Sequence, residues 1–365
     1  MSQIEAMPPA AAEVPSRKTI RSWLLACSHR DTRRALALVA LDLTLFVAAI
    51  GAVVMASRWP VKLGFGIVAG FVIGRLFILG HDACHQSLTP NRRLNRVLGR
   101  LVFLPSLTPF SLWEAGHNVV HHGYTNLKGI DFVWAPLTSA EYRALSPAAQ
   151  WRERVYRSGW APWLYYLVEI WWRRMFFPSA REMPTRRAVF FRDGLLVSAA
   201  ATLWIAGLIV AARATHQPAW LVLVCGFLVP FLVWNGLIGF VVYVHHTHPR
   251  IIWHGDKTAW LRAQPFVTTT VHITFRRRWG VDAGALLHHI MEHTAHHVDM
   301  GIPLYHLRRA QEILEHRMPG RIVVQAFSWR WYFDTARRCK LYDCEARQWT
   351  DFAGRPTAPA ASAAG

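Results

Sequence analysis

Long apolar runs dominate the hydrophobic pattern of the chain and predict helices that cross a membrane. A helix needs about 20 mostly apolar residues to span a bilayer, because each residue adds only about 1.5 Å of rise. Four runs meet this requirement, namely Ala35–Ala56, Val61–Gly80, Leu195–Ala211 and Ala219–Val244. The second run is the weakest, because it contains Arg75. A fifth apolar piece, Gly99–Phe110, is too short to span and predicts a re-entrant or interfacial segment.

Taken in order, the four spans form two hairpins, each of which returns the chain to the side of the membrane from which it started. A long polar block separates the hairpins, and a second one follows them. We therefore expect an all-α, multi-pass membrane protein with four transmembrane helices and a helical cap on one side. Its predicted parts are an N-terminal tail over residues 1–34, a membrane domain with its cap over 35–307, and a C-terminal segment over 308–365.

Basic residues are distributed unequally between the two sides of the predicted membrane. The chain has 41 Lys and Arg against 22 Asp and Glu, which gives a formal net charge of +19. The spans and the two short connections opposite the cap contain only Arg58, Lys62, Arg75 and Arg213. Because basic residues near span ends stay in the cytoplasm, we expect both termini and the cap to be cytoplasmic. We prefer the bacterial inner membrane to the endoplasmic reticulum.

Other features of the composition narrow the class of protein further. The net charge suits anionic lipid headgroups, and without a basic soluble face it does not predict nucleic-acid binding. The five cysteines show no paired spacing, so we expect reduced thiols. Met1–Pro15 and Gly354–Gly365 are rich in Ala and Pro and are predicted to be disordered, with no signal peptide. Trp160–Phe177 is rich in aromatic residues and predicts either an interfacial helix or a buried core helix.

Histidine is the residue type whose distribution indicates chemistry. Thirteen of the 19 histidines lie in four short clusters with the sequences HDACH, HNVVHH, HHTH and HHIMEHTAHH. They are His81 and His85; His117, His121 and His122; His245, His246 and His248; and His288, His289, His293, His296 and His297. Histidines three or four residues apart on a helix are neighbours, so each cluster supplies part of a metal site. The first and third clusters directly follow spans, which places both at the same membrane surface.

The last cluster predicts a helix over Ala285–Met300. At about 100° per residue, one helical face carries four of its histidines: His289, His293, His296 and His297. His288 falls away from that face. We therefore prefer His289 to His288 as a candidate ligand.

Eight or more imidazoles exceed what one ion can accept, so the clusters predict two metal ions. Neutral imidazole suits iron, copper, zinc and nickel, and the lack of a cysteine ligand pattern argues against structural zinc or an iron–sulfur cluster. A dimetal site at the membrane surface suits a reaction on a long apolar substrate. A histidine-rich metal transporter is a competing hypothesis, but its ligands would lie near the bilayer midplane, where no predicted span carries a histidine.

The clusters resemble the histidine boxes of the integral-membrane fatty acid desaturases. HDACH, HNVVHH and HTAHH occur in that order, with spans between them. Two further runs are similar to the acyl-lipid branch of that family: HTHP at His246–Pro249, and HHGYTNLKGIDFVWAP at His121–Pro136. The resemblance covers about Leu79–Leu307.

This resemblance implies a di-iron centre that uses O2 to remove two hydrogens from an acyl chain and form a cis double bond. The substrate would be an acyl lipid or an acyl thioester. The implied ligands are His81, His85, His117, His121, His122, His293, His296 and His297, with His246 as the ninth. Further candidates are His289, His248 and Asp131, and Asp131 would accept a hydrogen bond from a ligand imidazole.

The chain departs from the family's pattern at two places, which leaves the reaction open. Three residues separate His117 from His121, and His288 is doubled by His289. Related membrane di-iron hydroxylases and ketolases, acting on alkanes, acyl chains or carotenoids, have similar boxes and remain the alternative.

Electrons must come from elsewhere if the resemblance holds. The chain has no Gly-rich nucleotide fingerprint, no cysteine-rich iron–sulfur pattern and no HPGG haem-binding motif. We therefore expect a separate donor of the ferredoxin or cytochrome b5 type, and the basic cytoplasmic side suits an acidic partner.

Overall fold

The computed structural model describes residues 15–183, 185–263, 267–275 and 283–360, and within them the chain is mostly helical. The helices are α1 (Arg17–Leu24), α2 (Thr32–Met55), α3 (Trp59–Cys84), α4 (Arg92–Phe103), α5 (Phe110–Glu114), α6 (Ser139–Ala144), α7 (Pro147–Tyr156), α8 (Pro162–Tyr165), α9 (Ala188–Ala214), α10 (Ala219–Leu223), α11 (Val229–His246), α12 (Lys257–Ala263), α13 (Ala283–Leu286), α14 (His293–Val298), α15 (Leu304–Arg317) and α16 (Trp329–Arg338). A 3-10 turn, Leu25–Ser28, follows α1. Three π-helical segments continue α5, α8 and α10, over Ala115–His121, Tyr166–Phe176 and Val224–Leu228 respectively. The predicted all-α class is confirmed.

Four helical stretches of the described residues are long and apolar enough to cross a membrane, which confirms the four predicted spans. They are α2, α3, α9 and the continuous stretch Ala219–His246. Both α3 and α11 extend past their predicted ends, to Cys84 and His246. His81 and His246 therefore lie on the last turns of span helices rather than after them. The rigid bundle consequently sets where these histidines lie.

Glycines on α3 allow the spans to pack closely. Gly66, Gly70 and Gly74 recur every four residues on one side of the helix, facing the Ala219–His246 stretch. A Cβ atom at Gly70 would lie only 2.6 Å from the Cβ of Val233. Small residues at this spacing let helix backbones approach each other in membranes. The span judged weakest on hydropathy is thus the one at the centre of the bundle.

The cap packs against the ends of α3 and α11, where α4 contacts α3 and α8 contacts α11. It also contains two small sheets. Strands β1 (Val271–Thr274) and β2 (Val323–Ala326) pair in parallel, with Val271 opposite Val323. Strands β3 (Leu341–Asp343) and β4 (Gln348–Thr350) pair antiparallel, with Leu341 opposite Thr350. The β1–β2 sheet ties the C-terminal part of the chain to the segment before the last histidine cluster.

The two ends predicted to be disordered lie only partly within the described residues. The N-terminal one lies outside the described residues, apart from Pro15. The C-terminal prediction is wrong as far as residue 360: Thr357 donates through Oγ1 to the carbonyl of Arg338 at 2.7 Å, and Ala358 is buried. The remaining five residues lie outside the described part of the chain.

Two short segments differ from their sequence-based interpretations. Gly99–Phe110 is not a separate re-entrant element, because its first half completes α4 and the rest turns into α5. The aromatic stretch forms α8 and the π-helical segment after it. Tyr166 and Met175 are buried there, whereas Trp172 is 51% exposed. The buried-core interpretation therefore holds for one face of that segment only.

Candidate metal centre

The first two candidate ligands occupy the end of α3. Because they are four positions apart, with His85 capping α3, His81 and His85 lie on the same side of the helix, and their Nε2 atoms are 3.3 Å apart. Both side chains are buried. Asp82, between them, accepts a hydrogen bond from the backbone N–H of Leu304 at 2.6 Å. The end of α3 is thereby tied to α15.

The second cluster lies on a π-helical segment, and this winding changes the expected pairing. The backbone N–H of His122 donates to the carbonyl of His117, five residues earlier, at 2.9 Å. The wider turn brings the Nε2 atoms of these two residues to 3.2 Å. His121 points to a different set of histidines. The prediction that His117 and His121 converge as an α-helical pair is therefore wrong.

The fourth cluster, HHIMEHTAHH, begins with a turn rather than a helix. The helix predicted over Ala285–Met300 is interrupted at residues 287–292, and α14 begins only at His293. His288 and His289 adopt left-handed conformations, with φ of 48° and 59°. His289 Nδ1 lies 3.1 Å from the carboxylate of Glu292. The structure does not bring His289 to the other histidines, so the geometric preference for it was wrong.

The remaining histidines converge in two adjacent groups, in each of which the ligand nitrogens lie within 4.8 Å of one another. The first group consists of His81, His85, His117, His122 and His296, and the second consists of His121, His246 and His297. His293 lies beside the second group, with its Nε2 atom 3.1 Å from that of His246. The groups adjoin, because the rings of His122 and His297 stack with centroids 4.2 Å apart.

The convergence of five ring nitrogens fits a metal ion better than mutual hydrogen bonds. The Nε2 atoms of His81 and His117 are 2.8 Å apart, and those of His122 and His296 are 3.0 Å apart. A neutral imidazole carries one N–H, so five converging rings cannot all satisfy one another. An ion about 2.1 Å from each nitrogen would place adjacent ligands about 3.0 Å apart in octahedral and about 3.4 Å apart in tetrahedral geometry. The residues present therefore fit a buried metal ion.

Two polar side chains orient histidines of the second group from outside. Asp131 Oδ1 lies 3.0 Å from Nδ1 of His121, and its Oδ2 accepts from the backbone N–H of Asn126 at 2.8 Å. An imidazole that donates from Nδ1 to a carboxylate presents Nε2 as an acceptor for a metal. Thr125 Oγ1 lies 3.3 Å from Nδ1 of His297 and orients that imidazole in the same way. Sequence reasoning identified Asp131 but missed Thr125, which no spacing rule marks.

Burial keeps the cap histidines neutral. Their pKa values lie well below the ordinary value, because desolvation disfavours the charged ring and neighbouring imidazoles would repel a second charge. This holds for His117, His122, His293, His296 and His297. Since a metal ion binds the neutral ring, the site is preset for metal binding at neutral pH.

A narrow apolar cavity of about 50 Å³ reaches the histidines. Its walls are aromatic and aliphatic side chains from α3, α5, α11 and the turn before α14, together with the π-helical segment after α8. They include Phe77, Trp113, Tyr166, Met175, Ile238 and Ile290. Apart from the histidines, the Tyr166 hydroxyl and the Trp113 indole N–H, the described side chains that line the cavity are apolar, so it suits an apolar chain.

The other two histidines of the HHTH cluster, His245 and His248, lie outside both histidine groups. His245 is buried, lines the cavity, and stacks on His293 with ring centroids 4.0 Å apart. It was not among the site candidates, although it directly precedes His246. His248 accepts a hydrogen bond from the backbone N–H of Arg250 at 3.0 Å, and it belongs to neither group.

Comparison with known proteins agrees with this site. Residues 57–329 match the family model for fatty acid desaturases. The match covers most of the chain and includes every histidine of both groups. The chain therefore belongs to the fatty acid desaturase family, whose members are oxidoreductases.

Curated relatives point to the acyl-lipid branch. The chain is 28% identical over 300 residues to an sn-1 oleoyl-lipid 12-desaturase of Picosynechococcus sp., covering 80% of each chain. It is 30% identical over 243 residues to an sn-1 oleoyl-lipid 12-desaturase of Arthrospira platensis, covering 66% of this chain and 65% of the relative. It is 27% identical over 294 residues to an sn-1 acyl-lipid omega-3 desaturase (ferredoxin) of Synechocystis sp., covering 79% and 77%. The resemblance inferred from the histidine boxes is confirmed.

Proposed function

We propose that this enzyme introduces a cis double bond into the acyl chain of a membrane lipid at a di-iron centre. The observation that carries the proposal is the contact between two groups of buried imidazoles and a narrow apolar cavity. The names of the three relatives, which specify oleoyl or acyl lipids, support the substrate class.

One iron ion would be held by each histidine group. The first group offers five imidazoles, and the second offers four once His293 is included. Neutral imidazole suits iron. When bound, the iron pair would supply, together with O2, the oxidising power needed to break unactivated C–H bonds. Asp131 and Thr125 would hold His121 and His297 in the orientation that binding requires.

The cavity walls would determine the outcome of the reaction. Side chains such as Phe77, Tyr166 and Ile290 leave room for little more than one extended chain and exclude water. Holding two adjacent methylenes beside the metal groups favours removal of two hydrogens over insertion of oxygen. Hydroxylation and ketone formation are the alternative reactions, and the product assay must distinguish them from desaturation.

A separate, acidic redox protein would deliver the electrons, and the basic cap would face the cytoplasm. Arg17 Nη2 donates to the carbonyl of His297 at 3.3 Å, and Arg21 Nε donates to that of Val298 at 3.3 Å. Cationic side chains thus lie directly against α14, the helix that carries three ligand candidates, where an acidic donor would be attracted. One relative is named for ferredoxin; a cytochrome b5-type donor has the same charge character.

Expression in a desaturase-deficient bacterial host tests the product. Mass spectrometry of host lipids should show acyl chains lighter by two hydrogens, and His296→Ala should abolish them. His29→Ala, which changes an exposed histidine outside both groups, should leave them unchanged. A dominant gain of one oxygen would instead assign the protein to the hydroxylases.

Reconstitution tests the electron donor. Purified enzyme with NAD(P)H, O2 and lipid should not turn over, and addition of ferredoxin with its reductase should start the reaction. Turnover in a preparation free of other redox proteins would contradict the proposed need for a donor.

A further inference from the structure

A charged network lies inside the membrane bundle, outside both histidine groups. Asp42 of α2 is completely buried. Its Oδ1 atom lies 2.9 Å from both Nε and Nη2 of Arg75 on α3. Its Oδ2 atom lies 2.6 Å from Nε2 of His288. Such partners are required, because an unpaired carboxylate in an apolar interior is strongly destabilising.

The same network holds a short segment of the cap chain. Arg75 Nη1 donates to the carbonyl of Leu286 at 2.7 Å and to that of Ala285 at 3.3 Å. These carbonyls end α13 and have no partners within that helix, so a cation is favourable there. Asp42 and Arg75 thus join two spans to residues 285–288.

Residues 285–288 consequently contact α3 nearer its N-terminus than the metal groups do, and Leu286 there is 47% exposed. Arg75 precedes His81 by six residues on α3. At 1.5 Å per residue this separation is about 9 Å along the helix axis. Side chains on a helix also lean toward its N-terminus, which for α3 is the end remote from the cap. The segment therefore lies at the level of the spans.

The network stabilises an unfavourable backbone turn that leads to the cavity. The left-handed conformations of His288 and His289 are disfavoured for residues other than glycine. Bonds from their imidazoles to Asp42 and Glu292 stabilise the turn. Directly after it, Ile290 forms part of the cavity wall. The bond between His288 and Asp42 thus holds the turn two residues before Ile290.

We propose that Asp42, Arg75 and His288 are positioning residues that set the depth of the cavity wall at Ile290. They would thereby determine which methylenes of the acyl chain lie beside the metal groups. This inference rests on the proposed function. Within the described part of the chain, none of the three side chains bonds to a candidate ligand, so metal content is expected to be independent of them.

A second buried ion pair provides a matched control. Asp193 of α9 accepts from Arg100 Nε at 2.8 Å and from the backbone N–H of Ser111 at 2.9 Å. Like Asp42, it is a buried aspartate bound by one arginine and one further donor. It holds α4 and α5 against α9 and does not contact residues 285–290 in the bonds described. Loosening this pair tests general destabilisation without moving the wall at Ile290.

The decisive variant is His288→Leu, which leaves the Asp42–Arg75 pair intact. We expect the share of minor double-bond positions in the product to rise at least tenfold, with metal content unchanged. In metal-free protein, backbone hydrogen exchange of a peptide covering residues 285–292 should become at least fivefold faster. His288→Gln, which keeps an N–H donor toward Asp42, should restore both measurements to near wild type.

Asp193→Asn should lower thermal stability while leaving exchange at residues 285–292 unchanged. Because Asp193 holds α5, which carries Trp113 of the cavity wall, exchange rather than the isomer pattern is its control measurement. An unchanged isomer pattern in His288→Leu, or equally accelerated exchange in Asp193→Asn, would overturn the proposal. A wild-type protein that forms no double bond would overturn the proposed function and the positional claim together. The exchange measurement would then still decide whether the network holds the segment.

Discussion

Histidines on the span helices and histidines in the cap reach the metal centre in different ways. On α3, His81 and His85 follow the four-residue spacing of a regular α-helix. In the cap, His117 aligns with His122 across a π-helical turn. The end of α3 is regularly α-helical, whereas the segment that carries His117 and His121 is π-helical. The fourth span also contains a π-helical segment, Val224–Leu228, so irregular winding is not confined to the cap. The four-residue spacing rule therefore holds at the end of α3 and fails for His117 and His121.

Removing one imidazole should have the largest effect on activity and on bound iron. The loss should be equally large whether the histidine lies on a span helix or in the cap. His85→Ala on the span and His296→Ala in the cap each take a nitrogen from the first group. We expect activity to fall by at least about 100-fold, and bound iron to fall from about two ions per chain toward one. Elemental analysis and lipid product assays measure both quantities. Membrane insertion should be intact, and an active preparation that contains zinc alone would contradict the iron assignment.

Changing the register of the π-helical segment should separate the two regions. An alanine inserted after Val119, which is 65% exposed, would rotate His121 and His122 away from their groups and reduce activity by at least about 50-fold. Deleting Val119 should convert the π turn to an α turn, in which the shifted His122 again aligns with His117. We expect that deletion to retain activity within about tenfold of wild type. Equal loss in both variants would show that the alignment does not depend on the winding.

Removal of the supporting carboxylate should have an intermediate effect. Asp131→Asn weakens the acceptor for Nδ1 of His121 and should lower iron affinity by about 10–100-fold, as is usual for partners of ligand histidines. Competition with a chelator measures that affinity. Asp256→Asn, at an exposed position, is the control and should match wild type. If Asp131→Asn binds iron as tightly as wild type, Asp131 has no role in orienting His121 and serves only to bind backbone N–H groups.

The smallest effect is expected at His289, which the helical pattern favoured and the structure places elsewhere. Its imidazole contacts Glu292 rather than a histidine group, so His289→Ala should keep activity within about twofold of wild type. The lipid product assay is sufficient here. A loss comparable to that of His296→Ala would return His289 to the ligand set.

The sequence by itself determined the spans and the identity of the histidine clusters. Span prediction succeeded because the apolar length needed to cross a bilayer is a local property of the chain. The pairing of His81 with His85 was readable for the same reason, since both lie on one regular helix. The resemblance carried by the boxes then pointed to the family that the comparisons confirmed.

Only the tertiary structure decided how the histidines divide into two groups and what holds the last cluster in place. His121 and His122 are adjacent in sequence, yet a π turn directs them to different groups. Arg75 made its span look weak on hydropathy because it is charged. The sequence pattern did not show that this charge has a partner in another span. That partner, Asp42, also binds His288, which lies 246 residues further along the chain. Contacts over such separations depend on how the helices pack, and no local spacing encodes them.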